Sequence, residues 1–482
     1  MSLFGEHLRA LIDHNEVNIY GLAKSSGLER TAIHKIITGG RIPSDEYVNK
    51  LADAMPLSPE ERHGLLESFN ISKIGEFRHN QRLQVKRIIE SIAFIEKESG
   101  TSCGSVATSR PPFVNANRTA IGQFAVNSLV KSVIEDAVSL DGAGGVDFIV
   151  PESYQYFYHE LLIGYLEHPS FLIRHIVPFS KKKDFLNDTN INLSILSHVL
   201  PFAFAPGSGY SPYYHYREAH DAELTQAMPY FIITSSKKLV LLSGDFNRAA
   251  LICDSDIVEM YCERFASILE RSEPLIRHIG STVEFLDYCL GIEKELTEHS
   301  YWIEPEPCIA PLVTDEMIEA QVRQDIPGRE EFVNLACRHF GALRENRNRI
   351  INVCTTEGLY RVINTGYIYN APKAIMHPLS SDSVLELLHT LLARISEGKV
   401  TLLFTDPSKI TMPQNTLVNI NKKTGIIFVL HDNEGQDFRA VSLSEESIIE
   451  AFADFADSIE SSGLVYGESE SLAALKSIIS DI

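Results

Sequence analysis

The chain has 482 residues, of which 44% are hydrophobic and 22% are charged. This composition is typical of a globular protein, and it argues against long disorder, collagen-like and coiled-coil architectures. The length corresponds to about three domains. The 64 Asp and Glu residues outnumber the 43 Lys and Arg residues, which gives a net charge of −21. No apolar run reaches the roughly 18 residues that a membrane helix needs, so we expect no membrane partner.

The first residues and the cysteines predict a cytoplasmic location. The initial stretch, MSLFGEHLRALIDHNE, carries acidic residues inside its apolar run, which a secretory signal does not. The seven cysteines are odd in number and contain no C-x-x-C pair. We therefore expect reduced, mostly buried thiols, no metal site and no cofactor.

The negative charge is distributed unevenly along the chain. Residues 1–98 carry 13 Lys and Arg against 14 Asp and Glu, so nearly all of the excess acid follows them. Residues 18–41 contain four Lys and Arg residues and one acidic residue, Glu29. A net acidic chain repels nucleic acid unless its charge is segregated in this way.

Helical spacing predicts five short helices in the first seventy residues. Ser2 is a candidate N-cap of the first, Gly27 ends the second, and Pro59 starts the fifth. The third helix runs over residues 29–37 and is amphipathic. Its apolar face consists of Ile33, Ile36 and Ile37, and its polar face consists of Arg30, Thr31, His34 and Lys35.

The stretch LAKSSGLERTAIHKI at residues 22–36, followed by Gly39, Arg41, Pro43 and Leu51-Ala52, resembles the Cro/C1-type (XRE family) helix-turn-helix transcriptional regulators. The resemblance covers about 65 residues. It implies an all-α, lambda-repressor-like DNA-binding domain over residues 1–72. Two positions depart from the family pattern. Ile19 stands where the family often has a phosphate-contacting Gln, and Glu29 stands where it has Ser, which suggests modest binding by a single copy.

The resemblance assigns DNA-contacting roles to six residues. In regulators of this kind the recognition helix enters the major groove with its N-terminal residues on the base edges, and phosphate contacts fix its register. Bases are assigned to Arg30, Thr31 and His34, and phosphates to Lys24, Lys35 and Arg41. The expected partner is double-stranded DNA.

Residues 73–117 are predicted to connect this domain to the rest of the chain. Residues 79–98 read as one helix with a wide apolar stripe formed by Leu83, Val85, Ile88, Ile89, Ile92 and Ile95. The stripe packs either on the following domain or against its copy in a dimer. Because repressors of this type read two half-sites as dimers, we favour a homodimer. Residues 101–117 have the composition of a linker.

The remaining chain is predicted to be a large α/β region, because helical stretches alternate with short apolar runs. Residues 255–268 align without gaps with residues 446–459. This self-similarity suggests two related halves, 118–300 and 301–482. Two such halves behind a DNA-binding head resemble the degenerate phospholipase D-like effector regions of some regulators. That family's chemistry needs H-x-K-x-x-x-x-D in each half, and no H-x-K occurs in this chain.

No other familiar catalytic or phosphate-binding motif is present, so we expect that the chain is not an enzyme. The most notable C-terminal stretch is residues 206–220, which we interpret as a loop. Its aromatic and polar side chains suit either a small-molecule effector pocket or an ordered surface loop. The candidate ligand-binding residues are Tyr210, Tyr213, Tyr214, His215, Tyr216 and Arg217.

The sequence therefore predicts a sequence-specific DNA-binding transcriptional regulator with a C-terminal ligand-sensing or dimerisation region. Two alternatives stay open. One is an enzyme acting on a nucleotide or phosphoester with a regulatory helix-turn-helix head, which paired acidic or His side chains with strongly shifted pKa values in a deep pocket would favour. The other is an interaction scaffold that does not bind DNA.

Overall fold

The computed structural model describes residues 2–99, 116–140, 144–181, 191–205, 207, 209–216, 227–293, 299–345, 349–369, 373–431 and 438–482. The chain divides into two compact units, Met1–Leu83 and Gln84–Ile482. Across the described ranges, none of the helices combines the length and the apolar character that crossing a bilayer requires.

The first unit is helical, as the sequence predicts. Ser2 caps the first helix by accepting a hydrogen bond from Gly5 N over 3.1 Å. Gly27 follows the second helix with φ of 68°, a left-handed conformation that costs glycine little. Ser58 and Glu61 form a capping box at the start of the fifth. The helices are α1 Leu3–His14, α2 Ile19–Ser26, α3 Arg30–Ile37, α4 Asp45–Ala54, α5 Pro59–Ile74 and the beginning of α6 Glu76–Ser99.

One apolar core holds the first unit together. Ile33 and Ile36 of α3 are buried there beside Leu22 of α2 and Leu51 of α4. Since these side chains fill the inward face of α3, its polar side chains are left on the outer face. Phe4 and Phe69 close the same core with an edge-to-face ring contact at 5.4 Å between centroids.

The second unit contains two mixed β-sheets among its described residues, which agrees with the α/β prediction. The first sheet has the order β1-β7-β6-β5-β2-β3-β4-β8. Its strands are β1 Arg118–Ile121, β2 Gly145–Ile149, β3 Leu172–Phe179, β4 Tyr210–Tyr216, β5 Tyr230–Thr234, β6 Lys238–Leu242, β7 Arg248–Ile252 and β8 Glu273–Pro274. The second sheet has the order β12-β11-β10-β13-β14-β15-β9. Its strands are β9 Arg277–Ile279, β10 Ser300–Ile303, β11 Ile350–Cys354, β12 Val400–Phe404, β13 Thr416–Asn421, β14 Gly425–His431 and β15 Phe438–Leu443.

The two sheets share one topology. In each, three parallel strands (β2, β3, β4 and β10, β11, β12) continue into an antiparallel meander (β5 to β7 and β13 to β15). An edge strand that precedes the parallel strands in the chain, β1 or β9, pairs with the last meander strand. The shared order is what two related halves would produce.

Helices cover both sheets. They are α7 Gln123–Val138, α8 Gln155–Glu167, α9 Ile191–Ala203, α10 Ser255–Leu269, α11 Thr282–Glu293, α12 Asp315–Gln321, α13 Arg329–Glu345, α14 Thr356–Thr365, α15 Ser381–Ser396, α16 Glu446–Asp457 and α17 Glu468–Ser480. The largest core contains side chains of both sheets together with α7, α8, α9 and α16. The opposite face of the first sheet packs on α10, and that of the second sheet packs mainly on α13, α14, α15 and α17.

The apolar stripe of α6 packs within the second unit. Val85, Ile88, Ile89 and Ile92 are all buried in the core that lies between the sheets. Glu90 of the same helix accepts a hydrogen bond from the Thr411 backbone N over 3.0 Å. These four side chains thus follow the first of the two predicted alternatives, packing on the following domain. The side chain of Ile95 and most of the predicted linker lie outside the described residues.

Candidate functional site

The polar face of α3 is exposed over its whole length. Arg30, Thr31, His34 and Lys35 all face solvent, because the buried Ile33 and its apolar neighbours fill the other side of the helix. Lys24 on α2 and Arg41 after α3 are exposed as well. Within the first unit, all six predicted DNA-contacting residues therefore have side chains that a ligand can reach.

The cations on this surface are not neutralised by the unit's own acids. Lys24, Arg30, Lys35 and Arg41 form no ion pair with any other described residue. Other cations of the same unit do pair. Lys50 lies 2.7 Å from Glu46, and Arg62 lies 2.7 Å from Asp53. Apart from Arg78 on α6, the Lys and Arg residues of the first unit that have no described partner therefore lie around α2 and α3, where their charge can attract a polyanion.

Glu29 lies at the N-cap position of α3 without capping it. Its carboxylate accepts no hydrogen bond from the first turn of the helix. The Thr31 hydroxyl donates to Glu29 Oε2 over 3.4 Å, and both side chains are exposed. The acidic residue among these cations is thus directed to solvent.

The interpretation of residues 206–220 as a loop is wrong for its central part. Residues 210–216 form β4, paired with β3 on one side and with β8 on the other. Pro212 is tolerated in this strand because β8 pairs only with Tyr213 and Tyr214. The predicted ligand residue Arg217 lies outside the described residues.

The side chains of β4 are largely engaged in the fold. Tyr210 is buried, and its hydroxyl lies 3.0 Å from His175 Nδ1. Tyr214 donates to Glu273 over 2.9 Å, and Tyr216 donates to Glu445 over 2.6 Å. Tyr213, His215 and Tyr216 are half-buried. Burial is the main reason that the pKa values of Tyr214 and Tyr216 lie above the ordinary value for tyrosine.

A buried acidic pair follows β10 and was not predicted from the sequence. Glu304 and Glu306 are each 1% exposed at the carboxyl end of a parallel strand. Asn352 donates to Glu304 Oε1 over 2.8 Å, and Arg361 lies 3.0 Å from Glu306 Oε2. The Tyr369 backbone N also donates to Glu306. Since the sequence IEPEP reads as an exposed turn, only the tertiary partners show that these carboxyl groups are interior.

Burial shifts the acidity of both groups. Desolvation, with repulsion from Glu306, raises the pKa of Glu304 to about 8. Desolvation also raises the pKa of Glu306 to about 7, although the Arg361 charge opposes the shift. The neighbouring thiol of Cys308 has a raised pKa for the same reason. No group of three His, Cys, Asp or Glu residues in the described part of the chain has the arrangement of a metal site.

Comparison with known proteins gives no family assignment. No protein-family model matches the chain, and no curated protein matches it. The likeness of residues 22–52 to Cro/C1-type regulators therefore rests on those residues alone.

Several solved structures are similar at low scores. TrmBL2, an archaeal chromatin protein described with a novel mode of DNA binding, is 12% identical at a TM-score of 0.23, over 56% of this chain and 98% of that one. Phosphatidylserine synthase of Haemophilus influenzae is 8% identical at 0.23, over 76% and 92%. Polyphosphate kinase of Porphyromonas gingivalis is 7% identical at 0.22, over 76% of this chain and 53% of that one. TM-scores this low carry no argument about what this chain does.

The expectation that the chain is not an enzyme is withdrawn. It rested on the absence of familiar motifs, which does not exclude an enzyme, and two of the three similar structures are enzymes by name, a phosphatidylserine synthase and a polyphosphate kinase.

Proposed function

We propose that the chain is a transcriptional regulator that binds double-stranded DNA through α3 of the first unit. The observation that carries the proposal is the set of exposed, unpaired cations around α2 and α3, opposite an apolar face that anchors α3 in the core. A left-handed Gly27 between the two helices is what a helix-turn-helix needs. In this proposal Arg30, Thr31 and His34 contact bases, while Lys24, Lys35 and Arg41 contact phosphates.

The second unit would serve as the effector region, with residues 118–300 and 301–482 as its predicted halves and residues 73–117 as the connection from a DNA-binding domain at 1–72. Because β9 pairs with β15, the residues that build the second sheet begin at 277 rather than at 301. Of the β4 side chains proposed to contact a small-molecule effector, Tyr213, His215 and Tyr216 retain exposed surface. Such a ligand regulates only if its affinity differs between the DNA-competent and incompetent states. Dimerisation would let the protein read two half-sites.

Gel-shift titration with DNA from upstream of the protein's own gene tests DNA binding. We expect Arg30→Ala with Lys35→Ala to weaken binding at least tenfold, because a base contact and a phosphate contact are lost together. The double variant Arg9→Ala, Lys50→Ala removes two exposed cations of the same unit that are paired with acids, and is the matched control. Equal affinity of the two double variants would refute the proposal.

The buried acidic pair bears on a second candidate, an enzyme acting on a phosphoester, in which the substrate would have to reach carboxyl groups that are each 1% exposed. Ligands of open α/β sheets bind at the carboxyl ends of the strands where the strand order reverses. Glu304 and Glu306 follow β10, which has parallel β11 on one side and antiparallel β13 on the other. A carboxyl group with a pKa of about 8 is protonated at neutral pH, so it could protonate a leaving-group oxygen.

Hydrolysis of bis(4-nitrophenyl) phosphate tests this candidate. If it is correct, the wild-type protein hydrolyses the diester and Glu304→Gln abolishes turnover, since the amide cannot deliver a proton. Glu386→Gln removes an exposed carboxylate of α15 and should retain full activity. Absence of turnover in the wild type, or equal turnover in Glu304→Gln, rules the candidate out.

A further inference from the structure

Glu29 is an unusual residue to expose among the cations of α2 and α3. Near phosphates, a carboxylate lowers the affinity for DNA by repulsion. Glu29 therefore weakens DNA binding unless it also makes a favourable contact. A capping role is not available, because the side chain accepts no hydrogen bond from the first turn of α3. Nor does it form an ion pair with any described residue, although Arg30 is its neighbour in sequence.

One oxygen of this carboxylate has a long contact with a neighbouring side chain, and the other is available. Thr31 lies in the first turn of α3 and donates its hydroxyl to Glu29 Oε2 over 3.4 Å. Oε1 has no hydrogen-bond partner among the described residues. The carboxylate of Glu29 therefore has one free acceptor atom at the N-terminal end of α3, one residue before Arg30.

We propose that Glu29 is a specificity residue that accepts a hydrogen bond from the exocyclic amine of cytosine. The inference rests on the proposed DNA binding, and it names the base pair that α3 selects. In the major groove, cytosine offers an N4 amine donor, whereas guanine and thymine offer acceptors that a carboxylate repels. Adenine offers an N6 amine as well, but beside its N7 acceptor, which a carboxylate also repels. Arg30 next to it suits the O6 and N7 acceptors of guanine. Together they select a site containing a C·G pair beside a guanine.

The same residue thus reduces affinity for all DNA and raises discrimination among sequences. Its negative charge weakens nonspecific binding by repelling phosphates, and its hydrogen bond is regained only on a site with cytosine in register. Removing the carboxylate should therefore have two opposite effects, which simple electrostatic repulsion would not produce together.

Selection of bound duplexes from a random library, followed by titration of all four base pairs at each position, tests the proposal with the full chain. We expect the wild type to prefer cytosine about tenfold at one position. Glu29→Ala should lose that preference while binding random DNA more tightly. Glu29→Gln should shift the preference at the same position to adenine, because an amide pairs with adenine N6 and N7. Glu67→Gln, which removes an exposed acid of α5, should keep the wild-type preference.

The outcomes separate the two proposals. If the wild type binds no duplex even at low salt, the proposed function itself fails. If the wild type selects a sequence and Glu29→Ala selects the same sequence with higher affinity throughout, DNA binding stands and the role of Glu29 as a specificity residue is refuted.

Discussion

Asn352 of β11 occupies the position in the second sheet that His175 of β3 occupies in the first. His175 lies opposite Phe148, the last but one residue of β2, and Asn352 lies opposite Trp302, the last but one residue of β10. Both are fully buried polar residues on the central parallel strand of their half. His175 contacts Tyr158, whose hydroxyl donates to Val150 O just after β2, and Asn352 donates to Glu304 just after β10. The halves thus share a buried polar position as well as a strand order.

Glu304, which accepts the hydrogen bond from Asn352, makes the stability of the second unit depend on pH. The folded state keeps Glu304 protonated up to a pKa of about 8, above its ordinary value of 4.5. As pH rises from 4.5 to 8, the unfolded chain releases this proton while the folded chain retains it, so the free energy of unfolding falls. Above pH 8 the loss is complete.

Glu304→Gln should remove most of this loss. The amide preserves shape but does not ionise, so we expect the variant to gain on the order of 3 kcal/mol relative to wild type between pH 5 and pH 9. Urea unfolding at several pH values measures it. Glu386→Gln, an exposed change, should show the wild-type pH profile, and a Glu304→Gln profile parallel to wild type would show that Glu304 does not titrate in this range.

The sequence predicted elements whose patterns are local and missed those that tertiary contacts define. The five helices of the first unit follow from caps and from periodic apolar residues such as Ile33 and Ile36. Strand β4 was mistaken for a loop because Pro212 and the preceding glycines normally mark turns. Strands β10 and β11 are short, with four and five residues, and lack an alternating pattern.

The buried acids were missed for a related reason. Nothing in the sequence near Glu304 distinguishes it from a surface carboxylate, because its burial depends on Asn352 and on the loop that contains Cys308. One signal was available in the repeat. Glu304-Pro305-Glu306 follows β10 as Val150-Pro151-Glu152 follows β2, each strand ends in Ile, and Val150 is buried.

Lys35 and Arg30 should differ in how their loss affects DNA binding. Lys35→Ala is expected to weaken binding to all sequences alike and to reduce the slope of log affinity against log salt by about one, since one phosphate contact is lost. Arg30→Ala is expected to relax the preference at one base pair by about 1–3 kcal/mol. Titrations on a selected site and on random DNA at several salt concentrations distinguish them. Identical effects of the two substitutions would contradict the assignment of separate roles.

The hydrogen bond from Tyr216 to Glu445 links the end of β4 to the N-cap of α16 across the two halves. Tyr216→Phe leaves a buried carboxylate oxygen without this donor, so we expect a loss of about 1–2 kcal/mol in the free energy of unfolding. Tyr213→Phe on the same strand is the matched control, because its hydroxyl has no hydrogen-bond partner among the described residues. Thermal unfolding of both variants gives the comparison, and equal midpoints would show that the bond contributes nothing.

A small apolar cavity in the second half should tolerate one added methylene. It has a volume of about 40 Å³ and is lined by side chains that include Val322, Phe332, Ala336 and Ile368. Val322→Ile keeps the β-branched shape and directs a methylene into this space, so we expect a gain of about 0.5–1 kcal/mol. Val384→Ile in α15 makes the same chemical change at a buried position away from the cavity, where overpacking should cost about 1 kcal/mol. Denaturant titration of both variants measures the difference, and a destabilised Val322→Ile would show that the space cannot accept the added group.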